Sequence, residues 1–407
     1  MTRQTTQLAL AANRCSAADQ TLHLRPILDG TFRANPDYEL KRFDQLSSEH
    51  QELFSDLKGD RDFFGILRPR NGSQLPLKSA CRDTARLFVE LREADKLPSF
   101  VTSASGPRTN QEVAELVLDG VLQILHEGKL LYGASAFPAV CESSGDSRVT
   151  SEIAQLSRDA LLYAQALPFS DASLLASRLY TYGRIPATVA WKKTFPNTGA
   201  VRRCLLIDGE GSNVSRLSRR WRELPPDPNN DGWIFWQSVK PPEGRRNAAY
   251  KLYVSPRPAF LREGFEALIS GAERSGANAF KVGKDLSGLL RPDKMVAYFS
   301  RFEQMQEAAD RILAELNGCP AHGVPFTAQI ESPLVSWGTD PPVEKDVPAW
   351  LSRQSWRLWV ANRLAIALLM ARQNPQPGIE PWQFAVDRLR LEGVDTATWT
   401  PLGKKED

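Results

Sequence analysis

Tyr250-Lys251-Leu252-Tyr253-Val254-Ser255-Pro256-Arg257, with Ala279-Phe280-Lys281-Val282-Gly283 thirty residues further on, decides how the C-terminal half is read. Both runs alternate apolar and polar positions, the period of a β-strand. Between them Pro258 opens a helical segment that carries Phe260, Leu261, Phe265, Leu268 and Ile269 on one face, and Gly276 closes it. A strand–helix–strand unit of this length makes its strands parallel and often adjacent. If Tyr250, Leu252, Val254, Phe280 and Val282 pack under the helix, then Lys251, Tyr253, Ser255 and Lys281 point to the other face. Burying an ammonium is costly unless it meets an anion. Arg291, ten residues after Lys281 in Gly288-Leu289-Leu290-Arg291-Pro292-Asp293, is placed to fold over that face. Two lysines, an arginine and a phenol suit a phosphate or carboxylate. The same pattern also describes a solvated sheet face with snorkelling lysines, and periodicity does not separate the two.

Outward from this unit, Arg301–Leu316 reads as an amphipathic helix and Val324–Ile330 as a third strand. A long helix follows over Ala349–Gln373, with Arg353, Arg357 and Arg363 along it. Upstream, Ala187–Trp191, Arg203–Ile207 and Trp233–Trp236 are short β-type runs, and Glu223–Gly232 is a loop rich in Pro, Asn and Asp. Before Ile185-Pro186 the texture is helical: Ala80–Leu97, Asn110–Leu131, Ser151–Leu167 and Ser173–Tyr182 carry apolar residues at helical spacing, which reads as core. The fold class is therefore α+β. A helical N-terminal half, residues 1–185, precedes a mixed-sheet domain with flanking helices, residues 186–407.

The chain has 407 residues, 42% of them hydrophobic and 24% charged, the balance of an ordinary globular protein. A net charge of +3 is too mild for a nucleic-acid coat. Arginines nevertheless crowd the middle (Arg202, Arg203, Arg216, Arg219, Arg220, Arg222, Arg245, Arg246, Arg257), either as a solvated face or as an electropositive approach to an acidic substrate. Cys15, Cys81, Cys141, Cys204 and Cys319 are scattered and odd in number, which suits reduced thiols and a cytoplasmic chain. Met1–Asn13 lacks the apolar core of a signal peptide, and Leu358–Met370 is broken by Arg363 and falls short of a membrane span. His23, His50, His126 and His322 have no ligand spacing, so neither zinc nor another metal is expected; His322 reads as a structural loop residue. No P-loop and no nucleophile elbow occurs, and Asp208-Gly209-Glu210-Gly211-Ser212 reads as a turn.

Lys251-x-Tyr253 on one strand, Phe280-Lys281 on the next and Arg291 ten residues later resemble the bacterial phosphothreonine lyases, which carry Lys-x-His, Phe-Lys and Arg in that order. With Leu179–Pro186, Tyr250–Arg257 and Phe280–Lys294, the span of roughly 170–375 also resembles the type III effector HopA family, whose relatives serve as lyases in class V lanthipeptide and thioamitide biosynthesis. The resemblance implies a cofactor-free and metal-free β-elimination of phosphate from phosphoserine or phosphothreonine, giving dehydroalanine or dehydrobutyrine. It makes Lys281 the base, and Lys251 and Arg291 the phosphate clamp. Later arginines join them, from among Arg353, Arg357 and Arg363. Tyr253 stands where the family has a histidine acid, and a phenol is the weaker proton donor near neutral pH. Neighbouring cations lower a lysine's pKa, as a lysine base requires.

The chain has no kinase signature, so the resemblance implies a separate Ser/Thr peptide kinase that phosphorylates a precursor peptide. The helical half is then available to bind a leader peptide or that kinase. No nucleic acid and no membrane is expected as partner. The competing reading is a non-enzymatic HopA-like effector or adaptor that holds a phosphopeptide in a basic groove.

Overall fold

The alternating run around Lys251 forms the strand β9 (Tyr250–Val254) and the run around Lys281 forms β10 (Ala279–Gly283), joined by helix α5 (Leu261–Arg274). The computed structural model describes residues 22–70, 73, 75–103, 107–142, 149–226, 231–240, 249–342 and 354–402. Cys15, Arg245, Arg246, Arg353 and the expected start of the long helix at Ala349 lie outside the described residues. The protein is α+β.

The first half contains β1 (Phe32–Ala34), β2 (Tyr38–Arg42), β3 (Phe63–Pro69), β4 (Lys78–Cys81), α1 (Arg82–Glu90), α2 (Pro107–Leu118), β5 (Leu122–His126), β6 (Lys129–Leu131), α3 (Glu152–Ala166) and α4 (Ala172–Tyr180). The helices fall where apolar spacing placed them, but two three-stranded sheets, β1-β5-β6 and β2-β3-β4, accompany them. The run expected as one helix over Asn110–Leu131 is cut at Gly120. That residue turns with φ +71°, and α2 then gives way to the β5–β6 hairpin.

The second half is built on a seven-stranded sheet, in order β12-β13-β9-β11-β10-β8-β7. Its remaining strands are β7 (Trp221–Glu223), β8 (Trp233–Ser238), β11 (Met295–Phe299), β12 (Ala328–Ile330) and β13 (Ser332–Thr339). Every pairing in it is antiparallel. The two lysine strands do run parallel to each other, but they are not neighbours, because β11 lies between them and pairs with both. Helix α6 (Phe302–Glu315) packs beside α5 on one face of the sheet, where Phe265, Leu268, Met305 and Ile312 bury Leu252, Phe280, Val282, Ala297 and Phe299. Full burial of one such side chain is worth about 1.5–3 kcal/mol.

Two runs expected as strands are helical. Thr188 caps a helix over Val189–Thr194 by accepting from the Trp191 N–H, and Asn197 caps another over Thr198–Cys204. A short apolar run such as Arg203–Ile207 does not by itself distinguish strand from helix, and a side-chain cap tips it. Helices α7 (Trp356–Gln373) and α8 (Pro381–Leu391) return to the first half and share its core with Leu122, Phe137, Leu161 and Leu175. The face of the sheet turned away from α5 thereby meets α4 and the start of α7, and the lysines point into that interface.

Candidate active site

Strand register decides which side chains share the lysine face. Lys281 and Tyr253 are both paired with Val296 of β11, and Lys251 is paired with Tyr298. Directly opposed residues project to the same side. Lys251, Tyr253 and Lys281 therefore do share a face, although β11 separates the two lysine strands by two spacings, about 10 Å.

Lys281 projects between rings. Its Nζ lies 4.2 Å from the centroid of Trp233 and 5.8 Å from that of Tyr298. Among the described residues it makes no ion pair or hydrogen bond. Burial lowers its pKa from 10.5 to about 8; Asp293 opposes this, and Arg291 and Lys251 add to it.

Arg291 reaches the same indole, its Cζ 5.0 Å from the Trp233 centroid. Gly283 brings it back: a Cβ there would lie 2.4 Å from the Gly288 carbonyl carbon, so only glycine lets the turn after β10 fold this tightly. The Arg291 fork is bidentate on Asp293, with Nε to Oδ1 at 2.8 Å and Nη2 to Oδ2 at 2.9 Å, and Nη2 also donates to the Tyr180 hydroxyl at 2.9 Å. Arg357 approaches the same carboxylate from α7, its Nη1 2.8 Å from Oδ2. It donates as well to the carbonyls of Pro325 (3.0 Å) and Tyr180 (2.9 Å), with its side chain 1% exposed. Burial opposes ionisation of Asp293, but Arg357, Arg291 and Lys281 outweigh it and hold the carboxyl well below its usual range.

Lys251 is 13% exposed at its side chain and ion-pairs with the half-exposed Asp340 at the end of β13. Tyr253 is buried against Val296 and Val324, and that burial pushes its phenol well above 10 despite the Arg357 charge. Beneath these groups lies Lys294, fully buried, with Nζ 2.8 Å from Nδ1 of His322 and 3.3 Å from the Ser255 hydroxyl. Nε2 of His322 lies 2.6 Å from the Gly183 carbonyl. A carbonyl only accepts, so Nε2 carries the proton and Nδ1 accepts from the ammonium. Burial lowers Lys294 to about 7 and, with the Lys294 charge, His322 to about 4. His322, read from its sequence context as a structural loop residue, is thus held through both ring nitrogens.

The structure brings Lys251, Tyr253, Lys281, Arg291 and Arg357 to one face. Arg363 goes elsewhere. It lies six residues beyond Arg357 on α7, about 9 Å along the axis and well around the helix. There it pairs with Glu392 at 2.5 Å, in a cleft that also contains Lys78, Asp119 and Arg388. Sequence reasoning did not single out Asp293, Tyr180, Trp233 or Tyr298 for the site. Asp293 stands in the same Arg-Pro-Asp turn as Arg291, and Tyr180 stands in the quoted run Leu179–Pro186. Ion pairing has no period, so neither residue carried a sequence signal of its own. Among the described residues no group of three His, Cys, Asp or Glu side chains is placed to hold a metal ion. No described helix is long and apolar enough to cross a membrane.

No family model matches the chain, and no curated protein matches it. Among solved structures, the effector protein from Pseudomonas syringae pv. tomato strain DC3000 is 12% identical, with 62% of this chain and 100% of that chain covered and a TM-score of 0.38. The effector from Pseudomonas syringae pv. syringae strain 61 is likewise 12% identical, covering 63% and 100%, at 0.39. The Chromobacterium violaceum VirA (SpvC) phosphothreonine lyase effector is 12% identical, covering 53% and 99%, at 0.28.

Proposed function

We propose that this face eliminates phosphate from phosphoserine or phosphothreonine in a ribosomally made precursor peptide, leaving dehydroalanine or dehydrobutyrine as in lanthipeptide maturation. The observation that carries the reading is the Lys281 amine, held against Trp233 and Tyr298 with its pKa lowered to about 8, beside Arg291 and across the sheet from Lys251. A lysine so placed is a base next to an anion clamp. At pH 7.5 a far larger share of such amines is free than the roughly 0.1% at the ordinary lysine pKa.

In the proposed reaction Nζ of Lys281 takes the Cα proton and the C–H electron pair becomes the new Cα=Cβ bond. The Cβ–O bond breaks, and its electrons leave with the phosphate. Lys251 and Arg291 hold the departing charge. Tyr253 donates a hydrogen bond to the oxygen that leaves, a role that suits a buried phenol better than outright proton transfer. Arg357 acts through Asp293, which fixes the Arg291 fork. Arg363, placed in the Glu392 cleft, is set aside as a phosphate ligand. These steps draw on side chains alone. In this reading residues 186–407 are the lyase part, residues 1–185 bind the leader or the partner kinase that supplies the phosphate, and the protein works in the cytoplasm.

One observation favours the adaptor reading: Lys251 and Arg291 are already engaged by Asp340 and Asp293, as they would be in a static basic groove. Lys281→Arg separates the two, because binding needs only charge whereas elimination needs a titratable amine. We expect the variant to bind a synthetic phosphothreonine peptide within about threefold of wild type and to eliminate phosphate at least about 10²–10⁴-fold more slowly. Mass spectrometry follows the loss of phosphoric acid. Unchanged elimination by the variant sinks the assignment of the base, and a wild type that binds without eliminating establishes the adaptor.

A further inference from the structure

A cleft of about 430 Å³ opens beside the lysine face, lined by Arg184, Ile185, Lys192, Phe195, Asp285 and Leu290 among others. Its volume is that of a ligand pocket. It adjoins the site along the chain: the Ile185 N–H donates to the Leu290 carbonyl at 3.0 Å, and Leu290 is bonded to Arg291. On the other flank the Gly183 carbonyl holds His322, and Gly183 packs towards Pro292. The floor is apolar, with Phe195 buried and stacked on Trp191 at 6.0 Å and 12°. The rim is charged and uneven. Arg184 and Lys192 are exposed and make no side-chain hydrogen bond or ion pair among the described residues. The one carboxylate, Asp285, is turned to the Gly288 N–H at 2.8 Å.

We infer that this cleft seats the part of the substrate polypeptide that flanks its phosphorylated residue, and that it selects an acidic side chain beside an apolar one. The inference rests on the lyase reading of the adjoining face. A phosphate held by Lys251 and Arg291 leaves the rest of the peptide to run on, and at about 3.3 Å per residue a few residues carry it past Arg291 to the Leu290 wall of the cleft. There Ile185, Phe195 and Leu290 cover an apolar side chain, and Arg184 and Lys192 meet a carboxylate without displacing any anion. By contrast, Lys251 must give up Asp340 to take its phosphate.

The test uses the whole protein and synthetic phosphothreonine peptides that carry Leu-Glu two, three or four positions from the phosphorylated residue, on either side, with Leu-Lys peptides as partners. Wild type should show a KM about tenfold lower for the best Leu-Glu peptide than for its Leu-Lys partner. In Arg184→Glu/Lys192→Glu that preference should vanish or invert. The variant's kcat, and its rate on N-acetyl-phosphothreonine methylamide, which is too short to reach the cleft, should stay at wild-type values. Fluorescence anisotropy of the same peptides, labelled and unphosphorylated, reads the cleft without the chemistry: the Leu-Glu form should bind wild type several-fold more tightly than the variant. Equal KM and equal anisotropy for all peptides overturns the cleft and leaves the lyase standing. Loss on the short amide to the same degree also overturns it. A wild type that eliminates from no peptide yet binds the Leu-Glu form selectively overturns the lyase and leaves the cleft.

Discussion

Two clusters of charge sit on different sides of α7, and they are closed to different degrees. Where α7 and α8 meet the first half, Asp119 bridges Lys78 at 3.2 Å and Arg388 at 2.8 Å, and Glu392 bridges Arg363 at 2.5 Å and Arg388 at 3.4 Å. Every cation there has a carboxylate in contact. On the sheet, Arg291, Arg357 and Lys251 have carboxylates, but Lys281 meets only the faces of Trp233 and Tyr298. A closed network serves the fold, because each charge is repaid locally. An open one leaves a desolvated amine whose protonation is easily changed, and that belongs to chemistry.

The comparison breaks most visibly at Arg388. Arg388→Met removes the cation that Asp119 and Glu392 share and leaves them Lys78 and Arg363 alone, so chemical denaturation should show a loss of roughly 1–3 kcal/mol; no measurable loss would mean that the closed network is not structural. Lys281→Met should do the opposite and abolish elimination while stabilising the fold. The sign follows from linkage. The folded pKa, about 8, lies below the unfolded 10.5, so below pH 8 both states are charged and only the folded one bears the desolvation cost. At pH 7 the Met variant should therefore be more stable by about 1–3 kcal/mol, a gap that closes as pH rises from 8 to 10.5. Denaturant titrations at pH 7 and 10 measure it, and a gap independent of pH would contradict an amine burdened by its burial.

Smaller effects refine the picture within the open cluster. Tyr253→Phe should lower kcat about 10–100-fold with little change in KM, as expected of a hydrogen bond to a departing oxygen; a rise in KM alone would move Tyr253 to substrate binding. The smallest effect concerns pH. The rate should climb with pH and level off near pH 8 as Lys281 loses its proton. Because Lys251 helps to hold that pKa down, Lys251→Met should move the midpoint upwards by a few tenths of a unit. A midpoint that stays still would show that the two lysines are not coupled.

Much of this contrast was legible in the sequence, and the rest was not for physical reasons. Alternation alone put Lys251, Tyr253 and Lys281 on one face, because one side of β9 and β10 must meet an apolar helix layer. It did not reveal β11. Met295-Val296-Ala297-Tyr298-Phe299 is covered on both sides, so no polar alternation marks it as a strand, and without it the lysine strands read as neighbours. The small sheets of the first half were hidden by strands as short as Phe32–Ala34. Arg357 was singled out from the resemblance, but Asp293, the carboxylate that gives it a purpose, shows itself only once α7 and the Arg291 turn meet in space.

The strand between the two lysines also fixes how the chain can vary in length. Losing or gaining one residue inside β11 would turn Val296 and Tyr298 towards α5 and bring Met295 or Ala297 up beneath the arginines, exchanging an aromatic wall for a greasy one. No point substitution repairs such a slip, since every position beyond it is inverted. Two lysines that stand thirty residues apart along the chain thus work as a matched pair only while a five-residue spacer keeps its count.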